Sequence, residues 1–206
     1  MIERLKTLAV VAALATVPAQ AAAQSDFDLS LEGAITLPMG DLADGWDYSG
    51  NIGAKGTFWI QEKLGIDVFG AVDMLKGMDV SPNDAYPDLN LFHAGAGVAF
   101  AVTERTEDFA VVVGVGGGYT QMKSDGLGGS AQAIDFSEGY YHGRAGADFT
   151  YALGSNLSVG FGADIVFTMA DEDDTRFFPD FRPGGNLSAF SSGMTIPLTA
   201  IVKIGF

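Results

Sequence analysis

The side chains best suited to chemistry are few. His93 and His142 are the only histidines. A nucleophilic triad needs a hydroxyl and an acid converging on an imidazole. His142 has Ser137 and Glu138 near it in sequence, whereas His93 has no such company. Proximity in sequence does not supply the geometry, so an interior hydrogen-bonded histidine is the default for both. The stretch VGVGGGY, ending at Tyr119, is glycine-rich enough to suggest a phosphate loop. It lacks the helix that must follow one and the Lys-Ser/Thr pair, so it reads as close packing within a sheet. The acidic run DEDDTR (171–176) invites a calcium reading, but has no Asp-x-Asp-x-Asp-Gly frame. A solvated acidic loop is the simpler reading, with bridging of phosphate groups by divalent cations as the alternative. The next residues, FFPDFRPGGNLSAF, carry four phenylalanines that either pack over a mouth or meet a ligand.

The remaining charged groups fall on a pattern. Eight segments alternate with period 2: FDLSLEGAITL, NIGAKGTFWI, LGIDVFGAVDM, LFHAGAGVAFAV, FAVVVGVGGGYTQM, EGYYHGRAGADFTYAL, LSVGFGADIVFTM and IPLTAIVKIGF. One parity is apolar and carries no charge in any of the eight. The opposite parity holds Asp28, Glu32, Lys55, Asp67, Asp73, Arg144, Asp148, Asp164 and Lys203, with both histidines. In a soluble barrel or sandwich the apolar face points inward. In a transmembrane barrel it meets lipid, and the charges line the lumen.

Connection lengths separate the two. QEK, TERTED and GSN are short, while the breaks near 38–49, 75–88, 123–137 and 170–190 are long. Short and long alternate along the chain, as in an up-and-down barrel with tight turns on one side of a membrane and longer loops on the other. Phe27, Phe58, Phe100, Phe109, Tyr151 and Phe206 fall near the short-turn ends; Phe92, Tyr119, Tyr141 and Phe167 fall near the other rim. Two aromatic girdles suit two membrane interfaces.

The N-terminus gives the address. Residues 1–23 combine Arg4 and Lys6, an apolar run from Leu8 to Val17, and small residues ending in Ala21-Ala22-Ala23. This is the layout of a cleaved secretory signal peptide, too short in its apolar run to span a bilayer as a helix. It leaves one domain, residues 24–206, as an outer-membrane β-barrel. Removing Glu3, Arg4 and Lys6 takes the net charge from −15 to −16, which opposes nucleic-acid binding. With no cysteine, an exported chain depends on its core or on closure of its sheet. The fold class is therefore all-β: an eight-stranded antiparallel up-and-down transmembrane β-barrel.

Eight strands enclose a lumen that side chains fill. Glu32, Lys55, Asp67, Arg144, Asp148, Asp164 and Lys203 are expected to form a buried charge network there, because an unpaired charge in that setting costs several kcal/mol. Acids outnumber bases among them, so some carboxylates are expected to meet water or share protons. Inward glycines at 95, 97, 114, 116, 118, 146, 160 and 162 leave room for bulky neighbours such as Arg144, His93 and Trp59. A plugged polar core is expected over an open pore.

With these features the chain resembles the small outer-membrane β-barrel proteins, the OmpA-transmembrane, OmpX and OmpW-like group, over nearly all of residues 24–206. The first hairpin carries a Pro-x-Gly-Asp loop and glycine-rich return, here Pro38, Gly40, Asp41 and Gly50. The C-terminal LTAIVKIGF is similar to the alternating signal, ending in Phe206, that the barrel assembly machinery recognises. The resemblance implies an integral protein of the cell outer membrane among lipid and lipopolysaccharide, probed during biogenesis by that machinery. No peptidoglycan-binding domain follows, so an OmpA-type anchoring role is not implied. Lipid A deacylases of this general shape set their Ser-His-acid group on the lipid side, where no histidine falls here. Palmitoyl transferases keep an apolar interior, unlike this one. The expectation is a monomeric, non-enzymatic barrel without cofactor or metal, serving envelope integrity or surface interaction. The alternatives are a narrow channel for small or hydrophobic solutes and, last, a lipid-modifying enzyme.

Overall fold

The computed structural model describes residues 26–39, 43, 46–77, 79–81, 84–85, 88–105, 108–124, 137–169 and 192–206. The alternating segments become strands: β1 (Phe27–Met39), β2 (Trp46–Trp59), β3 (Leu64–Gly77), β6 (Leu89–Ala101), β7 (Phe109–Ser124), β8 (Ser137–Ala152), β9 (Leu157–Met169) and β10 (Ser192–Gly205). Two short strands, β4 (Asp79–Ser81) and β5 (Asp84–Ala85), pair between β3 and β6. The eight long strands close into one antiparallel barrel in the order β1-β10-β9-β8-β7-β6-β3-β2. Each strand thus neighbours the next long strand in sequence, and β10 closes on β1.

Register follows the side-chain pattern. Leu31 lies opposite Ala54 of β2 and Val202 of β10, apolar against apolar, while Ser30 lies opposite Lys55 and Lys203. A slip of one residue would exchange the two faces. At the seam Phe206 N–H donates to the Phe27 carbonyl at 2.9 Å. The Phe27 ring lies 4.6 Å from that of Phe58 and 5.9 Å from that of Phe206. Closure leaves the eight-stranded sheet no free edge for another chain to pair with.

The faces are inverted relative to a soluble protein. Ile35, Ile52, Val68, Val98, Val115, Phe161, Ile165 and Leu198 are exposed, whereas Thr36, Lys55, Asp67, Asp73, His93, His142 and Asp164 are buried. A 13-residue strand tilted by roughly 40° rises about 33 Å, more than the roughly 25 Å apolar band of a membrane barrel.

Strand ends depart from expectation at the loop side. Residues 46–49, read as loop from sequence, belong to β2 and keep pairing with β3 through an irregularity between Asp47 and Gly50. This leaves only residues 40–45 between β1 and β2, no longer than the turn at residues 102–108. The short-long alternation is therefore not strict at the first loop. A bulge explains it: one strand absorbs an irregular residue and pairing continues beyond. The leader, Gly40 and Asp41, and residues 170–191, with the acidic run and its phenylalanines, lie outside the described residues.

Candidate functional site

The barrel interior gathers the seven expected lumen charges and both histidines, and it is layered. At the end that carries the short turns, Trp59 Nε1–H donates to Asp28 Oδ2 at 2.8 Å, and Lys203 Nζ lies 3.8 Å from the same oxygen. Arg105, from the turn between β6 and β7, sits 4.1 Å above the Trp59 ring. Ala99 and Ala101 pack against the indole, with Val112 beside them. Trp59 is thus accommodated by alanines and by Gly65 opposite it on β3, where a Cβ would lie 3.1 Å from Trp59 Cε3, and not by the glycines expected to do so on β6 to β9.

The second layer is ionic. Lys55 pairs with Asp148 and lies 3.4 Å from Glu32 Oε1. Arg144 holds Asp164 through Nε and Nη2 at 2.9 and 2.8 Å, and its Nη2 is 3.8 Å from Glu32 Oε2. Five of the seven expected charges therefore meet, drawn from β1, β2, β8 and β9. Asp67 is held differently, by the Thr57 hydroxyl at 2.6 Å, and Lys203 belongs to the Asp28 layer. The Arg144 guanidinium lies 4.7 Å over Phe69. Phe69 in turn occupies the space left by Gly95, where a Cβ would come within 2.7 Å of the ring. Gly146 serves Asp164 likewise, since a Cβ there would collide with the carboxylate.

A third layer is a chain of hydrogen bonds. Asp73 Oδ1 accepts from Thr36 Oγ1 at 2.6 Å and from Asn51 Nδ2. Asp73 Oδ2 faces His93 Nε2 at 2.8 Å, His93 Nδ1 faces Thr120 Oγ1 at 2.8 Å, and Thr120 Oγ1 faces His142 Nδ1 at 2.9 Å. The His93 and His142 rings meet edge-on at 5.4 Å. Six strands contribute, because residues far apart in sequence share one level of the barrel. Beyond them, toward the loop end, Leu75, Leu89, Leu91 and Met122 are buried with Trp46 and Tyr140. Leu75 lies opposite Leu89, and Leu91 opposite Met122.

These last two layers were not legible as units in the sequence. Asp73, His93 and His142 stood on the lumen parity, but nothing linked them to one another, to Thr36 or to Thr120. The buried leucines sit on a parity that otherwise carries charge; Leu75 and Leu89 lie outside the alternating segments read from sequence, and Leu91 opens the fourth. The Ser137 and Glu138 side chains lie outside the described residues, so the structure leaves their grouping with His142 untested. The neighbours it does place there are Thr120, His93 and Phe69. Among the described residues no three His, Cys, Asp or Glu side chains converge as a metal site.

The arrangement is acid–imidazole–hydroxyl in order, the sequence of groups a nucleophilic hydroxyl needs. Yet Thr120 and Asp73 are both wholly buried, and the hydroxyl is also engaged by His142. It is not placed to meet a substrate.

No protein-family model matches the chain, and no curated protein matches it. Solved structures do. Neisserial surface protein A (NspA) is similar over 88% of this chain and 98% of its own, at 14% identity and a TM-score of 0.61. The N-terminal β-barrel domain of Pseudomonas aeruginosa OprF is similar over 89% and 100%, at 10% identity and a TM-score of 0.52. The outer membrane enzyme PagL superposes less well, at 13% identity and a TM-score of 0.47 over 87% and 99%. At such identities the likeness establishes the fold, that of small eight-stranded outer-membrane barrels, and nothing finer.

Proposed function

We propose that this protein is an integral outer-membrane barrel whose lumen is closed, and which serves envelope integrity or surface interaction, not catalysis or transport. One observation supports the reading: the described inward side chains form successive layers along the barrel axis. An indole with its ion pair, a five-residue charge network, a hydrogen-bonded polar layer and an apolar layer follow one another along the axis. Among the described residues, two cavities that border the charged layer are each about 20 Å³, room for about one water apiece. An exterior of exposed aliphatic and aromatic side chains supports residence in lipid. On this reading residues 1–23 are removed on export, the short turns face the periplasm, and the barrel stands as a monomer among lipid and lipopolysaccharide.

Non-enzymatic character is supported by burial. His142 is 3% exposed and faces the lumen, out of reach of lipid headgroups. Planar-bilayer recording with the pure, refolded barrel tests the proposal. The expected result is no steady conductance; robust, reproducible channels would favour the narrow-channel reading instead. An unchanged lipid A profile in cells carrying His142→Asn is expected as well, and a changed one would reinstate the enzyme reading.

A further inference from the structure

The buried chain Asp73–His93–Thr120–His142 has a direction, and the direction can reverse. Asp73 Oδ1 is engaged by two donors, from Thr36 and Asn51. An ionised carboxylate has only acceptors, so its Oδ2 takes the Nε2–H of His93. With His93 neutral, its Nδ1 is an acceptor and takes the Thr120 O–H. The Thr120 oxygen then takes the Nδ1–H of His142. That order leaves His142 Nε2 as a bare lone pair, and this atom is buried with no hydrogen-bond partner.

His142 borders a cavity of about 20 Å³ that Glu32, Asp73, His93, Arg144 and Asp164 also line. Glu32 Oε1, also buried, makes no hydrogen bond among the described residues, although Lys55 Nζ lies 3.4 Å from it. The unpartnered imidazole nitrogen thus belongs to a residue that lines this small space. The charges around it do not balance either. Among the described residues, Glu32, Asp148 and Asp164 face only Lys55 and Arg144, and Asp73 has no cation but a protonated His93. Of the other strands packed here, β2 contributes Asn51 and β10 contributes Pro197 and Thr199 to the cavity lining. On β7 the facing group is Thr120, opposite Tyr140 in register.

We propose that this chain is a proton relay, which accepts one proton at His142 Nε2 and stores the charge on His93 beside Asp73. The steps balance. An N–H bond forms at His142 Nε2, and the Nδ1 proton of His142 passes to Thr120. The original Thr120 proton passes to His93 Nδ1. His93 becomes an imidazolium 2.8 Å from Asp73, and His142 ends neutral with its tautomer reversed. Its Nε2–H is now a donor toward the cavity that Glu32 borders. One proton supplies Asp73 with a counter-charge and turns His142 Nε2 from an unpartnered acceptor into a donor. The ligand is a proton, and the device is a pH-sensitive element joining two layers of the lumen.

Histidine side-chain ¹⁵N NMR on the folded full barrel, from pH 8 to pH 3, reads it directly. At high pH the expected tautomers are Nε2–H for His93 and Nδ1–H for His142. On acidification both residues change at one midpoint, His93 to imidazolium and His142 to neutral Nε2–H. In Thr120→Val the His93 transition persists, but His142 no longer follows it. In Asp73→Asn the counter-charge is gone, and His142 is expected to keep its Nδ1–H tautomer over the same range. Heat-modifiable gel mobility verifies that each variant is folded, and the tautomers of the unaltered protein decide the matter if a variant is not. The proposal is overturned if His142 keeps its tautomer while His93 titrates, if His142 itself becomes the imidazolium, or if it is Nε2–H at high pH. A midpoint that tracks sodium or magnesium beyond ionic screening would assign the site to a metal cation and overturn it equally.

Discussion

Arg144 grips Asp164 with two parallel hydrogen bonds, 2.9 and 2.8 Å long, across neighbouring strands β8 and β9. Both side chains are about nine-tenths buried. A pair of this kind adds little against an apolar replacement of both members, but breaking one member strands the other. Arg144→Leu leaves Asp164 without its cation partner among the described residues and costs about 3–5 kcal/mol. Arg144→Leu with Asp164→Leu recovers most of that. Urea unfolding of the refolded barrel in lipid vesicles measures both, and equal losses in the single and double variants would contradict the account.

Glycine in the wall acts through a specific neighbour. At Gly95 an added Cβ lies 2.7 Å from Phe69 Cζ and also meets the Gly117 carbonyl. Gly95→Val is expected to destabilise the barrel by about 1–3 kcal/mol, the usual cost of overpacking. Phe69→Ala in the same chain recovers part of that loss, since the backbone contact remains. Full recovery would mean that the ring alone sets the constraint. The comparison is again one of unfolding free energies.

The parity rule explains what could be read in advance. Each strand residue must face lipid or lumen, so Lys55, Asp148, Arg144 and Asp164 were visible as interior charges from alternation alone. Who pairs with whom was not visible, because it depends on which strands face each other across the lumen. Lys55 and Asp148 are 93 positions apart. Asp28 escaped notice as the partner of Lys203 and Trp59 for a different reason: β1 lies beside both β10 and β2, and the pairing depends on their register. The apolar layer escaped for another: Leu75, Leu89 and Met122 lie where strand merges into loop, and period 2 over so few residues carries no signal.

The exterior offers a test of the solvent itself. Val115 is 65% exposed and lies opposite Val98 and Ala145. It is six residues beyond the Phe109 girdle, roughly 15 Å up a strand tilted by about 40°. In lipid, Val115→Arg costs about 2–4 kcal/mol. In water an exposed substitution of that kind stays within about 0.5 kcal/mol. Refolding yield and urea midpoint in vesicles tell the two apart, and a neutral Val115→Arg would speak against a lipid-facing wall.

Phe206 separates stability from assembly. Its ring stacks on Phe27 at 5.9 Å, a contact worth about 0.5–1.5 kcal/mol beyond the area it covers. Its N–H bond to the Phe27 carbonyl belongs to the main chain and survives substitution. Phe206→Ala is therefore expected to fold in vitro with only a small loss of stability. If the terminal aromatic also marks the chain for the barrel assembly machinery, the same substitution should lower the folded protein recovered from cell envelopes several-fold. Such a loss exceeds what the stability difference can produce once the barrel has formed. Parallel measurement of the in vitro urea midpoint and of heat-modifiable protein in the envelope makes the distinction. A matched, small effect in both would reduce Phe206 to a girdle residue at the seam between β1 and β10.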